Sequence, residues 1–87
     1  ERFIDAARAG GRFSFFGCRM VDATDTGILD GVGDVYHVSG MHWRDGHGCA
    51  DGRAYDAAGE IFGPCGAAAL YRTADVRRLG GFDEDFF

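Results

Sequence analysis

FGPCGAAALYRTADVRRLGGFDEDFF, residues 62–87, sets a strand pattern, a helix pattern and a charged turn side by side. The run from Ile61 to Arg72 predicts a strand. Gly63, Gly66, Ala67, Ala68 and Ala69 leave it nearly bare of side chains, so another group can approach its backbone closely. Thr73 is a good helix N-cap, and Asp75 falls in the first turn, where the helix dipole favours a carboxylate. Arg77 and Arg78 fall in the last turn, where cations are favoured, and Gly80-Gly81 is a stop. Asp83-Glu84-Asp85 follows between aromatic residues; Phe82, Phe86 and Phe87 read as core anchors for that turn.

Working outward, residues 1–9 read as the end of a helix, with Phe3, Ile4 and Ala7 on one face. Gly10 and Gly11 supply a stop that tolerates left-handed dihedrals. Residues 12–22 predict a strand that is apolar on both faces, as in a sheet covered on each side. Residues 22–27 form a polar turn, and residues 28–38 a weaker extended segment broken by Gly31 and Gly33. Residues 40–59 are the loosest part, rich in glycine and poor in aliphatics. They read as an excursion from the main sheet, with a short hairpin at most.

The 87 residues allow one domain, and a hydrophobic content of 46% is that of a globular chain. The net charge is −5, and the arginines are dispersed rather than clustered, which argues against a nucleic-acid partner. Cys18, Cys49 and Cys65 are odd in number and irregular in spacing, so they make no disulfide framework. No run approaches the ~18–20 apolar residues of a membrane span. The chain opens on Glu1 within a helical pattern and closes on Phe86-Phe87, and we expect both ends to be cut from a longer chain.

The order of glycine- and alanine-rich strand, Arg72, short helix, Gly-Gly stop and GGFDEDFF resembles the acceptor-side half of family-2 glycosyltransferases. These are inverting nucleotide-sugar enzymes of GT-A fold. The segment LDGVGDVYHVSG, residues 29–40, is similar to rhamnosyltransferase-like members. The resemblance implies an α/β fold with a mixed sheet, in which residues 1–87 are one fragment of a single catalytic domain. It implies that Gly66, Ala67, Ala68, Arg72, Asp83 and Glu84 line the acceptor site. Met41-His42-Trp43 is a separate candidate to reach over it, because aromatic faces suit sugar rings. No catalytic residue is carried onto this chain: the general base belongs to an acidic pair expected after Phe87. The divalent metal, Mg or Mn, is expected on an Asp-x-Asp type motif before Glu1. Asp83-Glu84-Asp85 is not that motif, because it follows a helix stop rather than a strand end. The implied partners are a nucleotide-sugar donor and a glycan or lipid-linked acceptor in bacterial polysaccharide or cell-wall synthesis. The implied location is the cytoplasm, with any attachment to the plasma membrane left to regions outside this stretch.

Two other readings stand beside this one. His42, His47, Cys49 and Cys65 would be the ligands of a small zinc module, although they lack a Cys-x-x-Cys pair. A non-catalytic α/β interaction domain is the other.

Overall fold

The structure, a computed structural model, describes residues 2–86. It is mixed α/β. In chain order the elements are α1 (Arg2–Ala9), β1 (Phe15–Gly17), β2 (Met20–Val21), β3 (Leu29–Gly31), β4 (Asp34–Tyr36), β5 (His42–Arg44), β6 (Ala69–Tyr71) and α2 (Thr73–Arg78). Single 3-10 turns occur at Arg53–Tyr55 and Glu84–Phe86. The strands form three two-stranded sheets, β1 with β6, β2 with β3 and β4 with β5. The chain divides into two units, one made of the residues up to Phe16 together with those from Leu70 onward, the other Gly17–Ala69.

In the first unit α1 half-buries Phe3 and Ala7, which lie one turn apart, and leaves Ile4 exposed. The helix closes with Gly10 N–H on the Ala6 carbonyl at 2.8 Å. Neither Gly10 nor Gly11 adopts a positive φ, contrary to the sequence expectation. Gly10 serves for space instead: a Cβ there would stand 3.0 Å from Cε1 of Phe16.

α2 begins one residue earlier than its sequence suggests. Arg72 is the N-cap, in extended conformation and with no side-chain cap bond, and Thr73 is the first helical residue. The stop is as expected. Gly80 and Gly81 have φ of 89° and 86°, Gly81 N–H bonds the Val76 carbonyl at 2.9 Å and Gly80 N–H the Arg77 carbonyl at 3.1 Å. That pair of bonds is the Schellman motif, and it satisfies carbonyls the helix end would otherwise leave open. Phe82 and Phe86 are exposed rather than core, although Phe82 meets the Tyr71 ring edge-on at 5.9 Å. Phe87 lies outside the described residues.

The second unit is built around β3. Leu29 is buried, with 1% of its surface exposed. Its N–H bonds the Cys49 carbonyl at 2.8 Å, and its own carbonyl accepts from Gly48 N–H at 3.0 Å. Val32 N–H bonds the Asp45 carbonyl, Asp45 N–H the Gly33 carbonyl and Asp51 N–H the Gly27 carbonyl. Residues 45–51 therefore run hydrogen-bonded along residues 27–33. The glycine-rich segment expected to be loosest supplies the backbone partners of the core strand. Gly46, with φ of 72°, makes this packing feasible, since a Cβ there would press on both Leu29 and Tyr55 at 3.2 Å. β4 and β5 form the hairpin, antiparallel, with Val35 opposite Trp43 and Tyr36 opposite His42.

The two long strands expected from sequence are short. Residues 12–22 break at Cys18-Arg19, and the halves take different partners, β6 for β1 and β3 for β2. Of residues 61–72 only Ala69–Tyr71 is strand; Gly63 makes a single bridge to Asp34, and residues 66–68 are turn and bend. Small side chains that allow close backbone approach also give little cross-strand contact to hold a ladder.

Candidate functional site

Arg72 lies at the junction between β6 and α2, where the extended strand turns into the helix. Its Nε donates to the Phe13 carbonyl at 2.6 Å, and its Nη2 donates to the carbonyls of Ala7 at 2.6 Å and Gly10 at 3.0 Å. The guanidinium carbon stands 5.5 Å from the centroid of the Phe16 ring. Main-chain bonding of Arg72 N–H to the Ser14 carbonyl at 2.8 Å sets the register. One cation thus gathers the last turn of α1 and the approach to β1, and it sits at a helix C-terminus, where a positive charge is favoured. Nε and Nη2 are engaged by the fold, so the Nη1 donors are those that could face a ligand. An open, mainly apolar depression of about 370 Å³ adjoins it, lined by Ala7, Phe16, Leu70, Tyr71, Arg72, Thr73 and Ala74.

Asp83 and Glu84 are exposed after the α2 stop. Asp83 Oδ1 accepts the Asp85 N–H at 3.0 Å, which fixes the turn and leaves the second Asp83 oxygen outside that bond. Gly66 and Ala67 are exposed on their turn and Ala68 is half-buried, its carbonyl 3.9 Å from Cys18 Sγ. Gly66, Ala67 and Ala68 belong to the Gly17–Ala69 unit; Arg72, Asp83 and Glu84 belong to the other.

A second depression lies wholly within Gly17–Ala69. It has a volume of about 240 Å³ and is lined by Gly33, Asp34, Val35, Tyr36, Asp45, Glu60, Ile61 and Phe62. Its aromatic wall is Tyr36 stacked on Phe62, with ring centroids 5.5 Å apart and planes 16° from parallel. Main-chain bonds fix the rest: Asp34 N–H to the Gly63 carbonyl and Asp45 N–H to the Gly33 carbonyl, each 2.8 Å. Gly33 is required there, because its φ is 142° and a Cβ would come within 2.8 Å of Ile61 Cγ2. Sequence reasoning missed this pairing. Tyr36 and Phe62 are far apart in the chain, and the available signal was only two aromatics bordering a polar, glycine-rich stretch.

Several charged side chains of this unit are engaged with one another. Arg19 bonds Asp56 at 2.7 Å and lies 3.4 Å from Asp51, and the Asp56 hydrogen bond, then the Asp51 charge, hold its pKa above the ordinary value. Asp22 Oδ1 accepts from Thr24 Oγ1, Thr24 N–H and Asp25 N–H. These bonds, that of the Thr24 hydroxyl foremost, lower its pKa. Tyr55 is raised, first by the charge of Cys49, then by burial and Asp45. Arg44 pairs with Asp30, and His47 Nδ1 lies 2.8 Å from the Asp30 carbonyl.

The zinc ligands considered from sequence do not assemble. Among the described residues no group of three or more His, Cys, Asp or Glu side chains could hold a metal ion. His42 is on β5, His47 turns to Asp30, and Cys49 and Cys65 are free thiols. Among the described residues no helix is long and apolar enough to cross a membrane. No protein-family model, no curated protein and no solved structure matches the chain.

Proposed function

We propose that this chain is the acceptor-side segment of an inverting glycosyltransferase of GT-A fold, which moves a sugar from a nucleotide-sugar donor to an acceptor hydroxyl. The observation that carries the reading is the order β6, Arg72, α2, left-handed Gly80-Gly81, and the exposed carboxylates of Asp83 and Glu84. That is the order on which the family resemblance rests. On this reading Arg72 offers Nη1 to the acceptor, and Asp83 and Glu84 accept from its hydroxyls.

The reaction is a single displacement. The acceptor oxygen bonds to the anomeric carbon as that carbon's bond to the diphosphate breaks, and a carboxylate takes the hydroxyl proton. The resemblance implies that base in an acidic pair after Phe87. A divalent metal would neutralise the departing diphosphate, and the resemblance implies its ligands on an Asp-x-Asp type motif before Glu1. The natural assay is turnover of nucleotide sugars by the full-length protein that carries this chain. Converting the first acid of the downstream pair to its amide is expected to lower kcat by ~10²–10⁴-fold with donor binding nearly intact. Glu84→Gln adds a second arm. Glu84 is exposed, so a raised acceptor KM would report a bound acceptor rather than a change in packing. Absence of nucleotide-sugar turnover, or full activity of the amide variant, would overturn the proposal.

A further inference from the structure

We infer that the depression beside Tyr36 and Phe62 binds a neutral sugar ring. The two rings are 54% and 68% exposed, so their stacked pair is available to a ligand rather than used up in a core. A pyranose presents an apolar C–H face and a rim of hydroxyls. The depression offers the complement: an aromatic wall on Tyr36 and Phe62, with the acidic residues Asp34, Asp45 and Glu60 among those that line it.

The lining also excludes other ligand classes. No arginine or histidine lines it, so a phosphate or another anion would face acidic residues with no cationic side chain in the lining. An apolar occupant would strip water from those carboxylates without replacing their hydrogen bonds, which is costly. Hydroxyl donors replace them, since an ionised carboxylate only accepts. A bare cation finds no group of three ligands among the described residues. The volume of about 240 Å³ lies below the range of roughly 300–1,000 Å³ typical of drug-sized ligands, which suits one ring rather than an extended chain. The site is also preformed. The Gly33–Asp45 and Asp34–Gly63 main-chain bonds and the close approach of Ile61 to Gly33 fix its floor, so ordering costs on binding are small.

Binding of the ring stands on this geometry. Its role as part of an acceptor glycan rests on the glycosyltransferase reading, and the test separates the two. The full-length protein is mixed with methyl glycosides of glucose, galactose, mannose and rhamnose at millimolar concentration, and saturation transfer to the sugar C–H protons is read by NMR. At least one glycoside is expected to take up saturation. Phe62→Ala should weaken its binding about tenfold, Phe62→Trp should retain it, and Val38→Ser, at an exposed position that does not line the depression, should leave it unchanged. Should Phe62→Ala fail to fold, Asp45→Asn is expected to weaken binding several-fold, and unchanged binding there would sink the inference. No saturation of any of the four glycosides, or undiminished binding by a folded Phe62→Ala, would overturn it as well. Nucleotide-sugar turnover is measured on the same preparations. Lost turnover with glycoside binding intact counts against the transferase reading alone; intact turnover with binding indifferent to Phe62 counts against this site alone.

Discussion

Arg72 shows how a residue singled out for a ligand can be held first by the fold. Its three bonds to the carbonyls of Ala7, Gly10 and Phe13 link stretches some sixty positions away in the chain. A charged hydrogen bond contributes more than a neutral one, so Arg72→Met is expected to cost the full-length protein about 2 kcal/mol or more, read as a lowered urea midpoint. Arg72→Lys should recover only part of this, because an ammonium cannot reproduce the planar fork. A stability equal to wild type in Arg72→Met would show that the three bonds contribute nothing net. Asp22 gives a pH prediction. Its folded pKa is lowered by the Thr24 and Asp25 hydrogen bonds. The stabilisation is therefore complete above the ordinary aspartate range and is lost as pH falls through the folded value. Asp22→Asn should flatten the acid limb of a stability–pH profile while leaving the neutral plateau with little pH dependence of its own. An acid limb identical to wild type would remove Asp22 from the account.

At the scale of elements, α2 and its stop are the clearest case. A Cβ at Gly80 or Gly81 meets nothing within 4 Å, yet both φ values lie in the left-handed region. Substitution there carries the local backbone cost of that region and no clash with more distant groups. Gly81→Ala is expected to destabilise by about 1 kcal/mol and to speed hydrogen exchange of the N–H at position 81, which bonds Val76. Gly80→Asn should cost less than Gly80→Ala, because asparagine tolerates that region better. Equal costs would mean that the stop is not held by its dihedrals. This element was legible in the sequence because cap, charges and stop are local signals that agree. The polar turn at Asp22 was legible for the same reason. The strands were not. Residues 12–22 look alike along their length, but β1 and β2 choose partners at Ala69–Tyr71 and Leu29–Gly31, and nothing within the stretch specifies that choice. Residues 45–51 hide their place in the fold for a similar reason. They lack aliphatics, yet their backbone carbonyls and N–H groups serve Leu29, and backbone bonding leaves no hydrophobic pattern to read.

For the whole molecule the deciding quantity is how little is buried. Of the candidate site, Arg72, Asp83 and Glu84 were visible as residue types, whereas the Tyr36–Phe62 wall depends on a fold that their sequence separation hides. The same shortage of local cues follows from a small core. Among the described residues Leu29 is the one fully buried apolar side chain, while Ile4, Val38, Met41, Trp43, Leu79 and Phe86 remain exposed. Burying one leucine contributes about 1.5–3 kcal/mol. Fixing the backbone of a single residue costs roughly 1–2 kcal/mol, and that cost recurs along the chain. Half-buried side chains and hydrogen bonds offset part of it, but this burial leaves little margin for residues 1–87 by themselves. Residues 1–87 expressed alone are therefore expected to lack a cooperative urea transition, to bind a hydrophobic dye, and to show poorly dispersed amide resonances. On the fragment reading proposed above, the same segment within a longer protein is expected to unfold cooperatively, with Trp43 fluorescence following the transition of the whole. A sharp two-state transition of the isolated 87 residues, with a slope appropriate to their size, would show that the two units suffice by themselves.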